Sequence, residues 1–142
     1  MTARILAPDD LFILGNIAAR AIMSGSGEET SGIVDLLQDE CPENAGPFLL
    51  EAVHISSKGQ VKEAISLLEN SPMFSAEVNG DEAIAFYLVL LLQDGQAERA
   101  RKICTSILDG GLLQSESARR TVLRVLTEIE DAMSDQPVIT LS

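Results

Sequence analysis

His54 is the only histidine in the chain, and general acid–base chemistry near neutral pH would have to start from it. It stands between Val53 and Ile55, and no HExxH, GxSxG or phosphate-cradling GxxxxGK[ST] motif occurs anywhere. A packing or surface histidine is the plainer reading. Cys41 and Cys104 lie far apart, with no CxxC and no histidine at ligand spacing, so no zinc site is expected. Both have apolar surroundings and read as reduced core thiols, although spacing alone leaves a disulfide open. The acidic pairs Asp39–Glu40, Asp81–Glu82 and Glu128–Glu130 lack EF-hand spacing. Gly25-Ser26-Gly27 follows no strand that would make it a phosphate loop. No catalytic residue, metal or cofactor is expected, and the chain reads as a binding protein, not an enzyme.

Composition narrows the partner. The formal charge of −12 argues against nucleic acid, which needs a clustered cationic face. Six of the ten basic residues fall between Arg99 and Arg124, but Glu98, Asp109 and Glu116 interrupt them, as on the solvated sides of two helices. Between Ala21 and Ser57 stand seven acidic residues and no basic one, a field that attracts a basic partner or keeps the chain soluble. Ala83 to Leu92, AIAFYLVLLL, is apolar throughout, yet it is half the length of a bilayer span of about 20 residues and is bracketed by Asp81, Glu82 and Asp94. It must be buried in protein, and no membrane insertion is expected. The opening MTARILAPDD turns acidic too soon for an export signal, which makes the cytoplasm the expected compartment.

Helical periodicity runs through the chain, and aliphatic residues dominate over aromatic ones. The first helix is expected from Asp9 to Ser24, entered through Pro8 and stopped by the glycines at 25–27. The second spans about Glu29 to Glu40, with Ile33, Leu36 and Leu37 on one face; the third starts at Pro47 and ends at Lys58-Gly59. Val61 to Asn70 forms the fourth, followed by the longest interruption, Ser71 to Gly80. The fifth is expected to start at an Asn79 cap with Glu82 reaching back, and to stop at Asp94-Gly95. Ala97 to Asp109 makes the sixth. The seventh begins near Ser115 with a stripe of Ala118, Val122, Leu126, Ile129 and Met133. Residues 1–133 then form one helical domain, and 134–142 a C-terminal tail in which VITL is the apolar part.

Helix, glycine turn, helix, repeated, calls for an internal-repeat test. Gly59 aligns with Gly95, and with them Ala64 with Ala100, Leu68 with Cys104 and Ala52 with Leu88; shifting back aligns Gly27 with Gly59 and Gly32 with Ala64. A turn glycine followed five places later by a small residue, at a period in the mid-thirties, is similar to the tetratricopeptide pattern. The expected fold is all-α: three such helical hairpins plus a C-terminal capping helix, in a right-handed superhelical cradle. The tetratricopeptide register implies a groove lined by Leu14, Ile17 and Ala21, by Leu49, Val53 and Ser56, and by Ala85, Val89 and Leu92. The alternative is that the seventh helix folds over and fills that groove itself. An open apolar groove suits an amphipathic helix.

Three stretches, DDLFILGNIAARAIMSGSGEE, PFLLEAVHISSKGQVKEAISLLE and AFYLVLLLQDGQAERARKICTSILDGG, together covering residues 9–111, resemble the small tetratricopeptide chaperones of bacterial type III secretion. The resemblance implies that the groove wraps an amphipathic helix of the needle subunit and blocks premature polymerisation, with a second small helical co-chaperone completing the complex. The chaperone of the translocator proteins is the second choice, and a general tetratricopeptide adaptor the third. The long seventh helix and tail depart from a minimal needle chaperone; they are available to cap the array, hold a homodimer or close the groove.

Overall fold

Proline, glycine and the ends of apolar periodicity set the helix boundaries. The computed structural model describes residues 8–25 and 27–134, and in it α1 runs Pro8–Met23, α2 Ser31–Glu40, α3 Gly46–Ser57 and α4 Val61–Glu69. Then come α5 Gly80–Gln93, α6 Ala97–Asp109 and α7 Glu116–Ser134, with a 3-10 turn at Gly27–Thr30 leading into α2. The chain is all-helical among the described residues, apart from a lone parallel bridge between Asn44 and Val78. The VITL tail lies outside the described residues.

Three reversals share one geometry. Gly25, Gly59 and Gly95 have φ of +87°, +82° and +79°, a region that costs residues with a Cβ dearly. They stand 34 and 36 residues apart, and five places after each comes a buried small residue: Thr30, Ala64 and Ala100. This corrects the expected alignment, which took Gly27 and Gly32 for the first pair. Gly32 is exposed. Gly27 is a glycine for another reason: a Cβ there would come within 2.2 Å of the His54 Nδ1 atom.

Packing follows a simple rule of neighbours. Each helix packs on the next, and α1 also packs on α3, α3 on α5, and α5 on α7. The odd-numbered helices therefore lie in a row, with α2, α4 and α6 each seated between two of them. The N-terminal ends of the row are tied by polar contacts. Ala45 N–H donates to the Val78 carbonyl (2.9 Å), Glu77 N–H to the Glu43 carbonyl (3.0 Å), and Asn79 Nδ2 to Asn44 Oδ1 (2.9 Å). Asp81 then accepts from the backbone N–H groups of Gln114 and Ser115, both at 2.7 Å, where α7 begins. The Ser115 N–H, on the residue just before α7, is a donor that a helix start leaves without an intrahelical partner. The expected Asn79–Glu82 capping box does not form: Asn79 sits at φ +59° and turns its side chain to Asn44 instead. The far ends of the hairpins are joined by surface ion pairs, Lys58–Glu28 and Lys62–Asp94. Surface pairs of this kind add little to stability, since solvent screens them.

The main core lies between α3 and α7, where Ala52, Leu68, Leu88, Leu91, Cys104, Val122 and Ile129 are buried together. α1 and α2 hold two smaller patches, one of Ala18, Ile22 and Val34, the other of Leu37 and Cys41. On α2 the buried side is Val34 and Leu37, and Leu36 stands in solvent at 37% exposure, not on the core face expected for it. α7 buries Ala118, Val122, Val125 and Ile129, with Leu126 half-buried beside them.

Candidate functional site

The nine groove positions fall on three neighbouring helices, α1, α3 and α5. Leu49, Val53 and Ser56 are spaced four and three apart, so they form one stripe along α3. All three are half-buried: Leu49 leans on the main core, while Val53 packs against Ala18, Ile22 and Val34 of the first hairpin. Ser56 Oγ donates to the Val53 carbonyl at 2.9 Å, which uses its one donor. On α1, Ile17 is 48% exposed and Ala21 half-buried; Leu14 lies on the same helix, its side chain outside the described residues.

On α5 the register needs a correction. Val89 and Leu92 are half-buried against the core, but Ala85 is only 5% exposed and offers a partner almost no surface. At about 100° per residue, Ala85 sits roughly 60° from the fully buried Leu88, still inside the packed arc. The open side of α5 is instead Glu82, Phe86, Val89 and Gln93, spaced as successive turns of one stripe. Glu82 and Gln93 are exposed and Phe86 is half-buried. Sequence reasoning missed Phe86. The signal was present in the two polar residues that bracket the apolar run, since they mark its wet side.

One concavity was not foreseen. A cleft of about 840 Å³ opens between the 71–80 loop, α6 and the 112–115 segment. Ile84, Ile103 and Ile107 form its floor, and Phe74 and Leu112, each 63% exposed, stand at its edges. Met73, fully buried, pins the loop, and Phe74 meets the Tyr87 ring edge-on at 6.5 Å. The loop reads as an interruption in sequence because its partners, Glu43 to Ala45, are far away along the chain.

Polar chemistry is concentrated behind Tyr87. Its hydroxyl donates to Glu69 Oε2 at 3.0 Å, and the same carboxylate pairs with Arg99. Burial, then the hydrogen bond to the Glu69 carboxylate, pushes the phenol up to about 12. Cys104 is held at about 11 by burial, so it is a packing thiol without thiolate character at neutral pH. Cys41 is buried as well, and the two are not bonded to each other.

His54 shares a small cavity of about 90 Å³ with Ser31, Asp35 and Glu51, and among the described residues none of them hydrogen-bonds its ring. No group of three His, Cys, Asp or Glu is placed to hold a metal, and no helix is long and apolar enough to cross a membrane, again among the described residues. What the arrangement offers is shape and apolar contact: a row of helices with partly accessible aliphatic side chains, and a cleft between the 71–80 loop and α6. Among known proteins no family model, no curated protein and no solved structure matches the chain.

Proposed function

We propose that the chain is a tetratricopeptide-like chaperone of type III secretion, which holds an amphipathic helix of an export substrate against α1, α3 and α5 in the cytoplasm. The needle subunit is the substrate named by the sequence resemblance. Needle subunits assemble through an apolar helix, so a chaperone that occupies that helix keeps them monomeric until export. In this reading α1–α2, α3–α4 and α5–α6 are the repeats of a right-handed superhelix, and α7 is its cap. The observation that carries the binding role is the side-by-side placement of α1, α3 and α5 with Ile17, Leu49, Val53, Val89 and Leu92 all partly accessible. The packed neighbours of α7 are α5 and α6, which supports a cap at the end of the row over a plug lying across α1 and α3. The 19-residue length of α7 favours the translocator chaperone as the second reading, because a minimal needle chaperone has no use for it.

Coexpression with the needle subunit of the same genome tests the proposal. The expected result is a soluble complex that is lost in Leu49→Asp and Val89→Asp variants of unchanged helical content. Ser56→Arg, which puts bulk into the stripe without charge in the core, should weaken it as well. A complex with a translocator subunit and none with the needle subunit selects the second reading. Binding that survives all three substitutions rules out the groove.

A further inference from the structure

At the two ends of the helix row stand exposed residue pairs of opposite charge at the same four-residue spacing, the basic pair flanked by Glu116 and Glu128. α2 turns Asp35 and Asp39 to solvent, four residues apart and so one above the other, with Leu36 exposed beside them. α7 does the same in the other sign: Arg120 and Arg124 are exposed on one stripe, and Leu123 stands beside them at 47% exposure. Among the described residues Asp35 and Asp39 make no ion pair. Arg120 and Arg124 have only loose partners on their own helix, Glu116 at 3.9 Å and Glu128 at 3.6 Å, all more than half exposed. Such pairs exchange at little cost. α2 packs on α1 and α3, and α7 on α5 and α6, so the two faces belong to opposite ends of the row.

We propose that the α7 face of one copy docks on the α2 face of a second copy, with Arg120 and Arg124 on Asp35 and Asp39 and Leu123 beside Leu36. Because the two faces lie at opposite ends of the row, each contact leaves the α2 face of one copy and the α7 face of the other open, and the association extends head to tail. A second copy is the occupant because this chain itself supplies the complement in sign, spacing and apolar neighbour. Small area and exposed charges make the association weak and fast, and screened by salt at a Debye length of about 8 Å at physiological ionic strength. The inference is independent of the groove and of any export substrate.

Analytical ultracentrifugation across protein concentration and ionic strength tests it. The average mass is expected to rise with concentration at low salt, pass beyond two copies, and return to the monomer at high salt. Arg120→Glu/Arg124→Glu and Asp35→Lys/Asp39→Lys should each remain monomeric alone and should associate with one another when mixed, because each restores the sign the other has lost. Circular dichroism of both variants checks that they are folded. A wild-type monomer at every salt concentration would overturn the proposal and leave both faces to other proteins or to water. So would a mass that stops at two, a mass insensitive to salt, or a folded pair of variants that does not associate on mixing.

Discussion

The first hairpin and the rest of the chain use the same glycine reversal, yet they are held together differently. From α3 to α7 the buried residues form one continuous cluster, whereas the described side chains of α1 and α2, which in α1 begin at Gly15, fall in two separate patches. The ties differ in kind as well. Backbone hydrogen bonds and the Asp81 contacts lock the starts of α3, α5 and α7 to one another, while the first hairpin reaches α3 through side chains, Gln38 Nε2 donating to Glu51 Oε2 and Lys58 pairing with Glu28. A turn geometry therefore fixes where a chain reverses, but not which buried cluster the resulting hairpin joins. Stability within one domain is uneven, and elements with few buried contacts open first. The proposed groove crosses this division, since Ile17 and Ala21 come from the first hairpin and Val89 and Leu92 from the helices of the main cluster.

Truncation on either side of the division should have the largest effect. Leu88→Ala removes a fully buried side chain from the centre of the main core and is expected to cost about 2–5 kcal/mol, read as a lower denaturant midpoint. Ile22→Ala, in the small α1–α2 patch, should instead release the first hairpin and leave the main transition nearly in place. Native-state hydrogen exchange separates the two cases. Amides of α1 and α2 should exchange through openings that leave α3 to α7 protected. Equal losses from both substitutions, with uniform exchange, would erase the distinction and make the chain one cooperative unit.

A smaller effect is expected where the two regions touch. Gly27→Ala forces a methyl group into the His54 ring, and overpacking of this kind costs about 1–3 kcal/mol. The strain falls on the contact between the 3-10 turn and α3, so faster exchange should be confined to the first hairpin. His54→Ala in the same chain opens the space and should recover part of the loss. Without that recovery, the cost belongs to the backbone of the turn and not to the imidazole. The outcome also bears on the role of the single histidine, which the geometry makes a packing group.

Much of the secondary structure was legible because it is written locally. α6 spans Ala97–Asp109 as expected, since Gly95 and Gly110 mark its ends, and the other helices begin or end within about two residues of the proline and glycine signals. Long-range contacts were less legible. Asn79 looks like a cap in sequence, but its partner Asn44 is 35 residues away, and local pattern cannot reveal that choice. Gly25 and Gly27 are interchangeable as turn signals; only the position of His54 on another helix separates their roles. The α5 face was misplaced at Ala85 because a small apolar residue fits either a packed arc or a groove. Glu82 and Gln93 carried the better information, for a charged or amide group rarely points into a core without a partner.

The least disruptive experiment concerns Tyr87, which stands at the centre of the strongly packed region and is the only tyrosine in a chain without tryptophan. Its ultraviolet titration therefore reports one residue. Burial and the Glu69 carboxylate favour the neutral phenol in the fold, so its midpoint is expected at about 12, against 10.0 for an unperturbed tyrosine. The sign follows from the raised value. The neutral hydroxyl contributes stability in full below pH 10, and that contribution is lost as the pH rises from 10 towards 12. Glu69→Gln removes the anion while keeping an acceptor, and the midpoint should fall but stay above 10 because burial remains. A midpoint at the ordinary value in the folded wild type would mean that water reaches the ring. The packing that sets α3 to α7 apart from the first hairpin would then be looser at its centre than the burial of Leu88 and Leu91 implies.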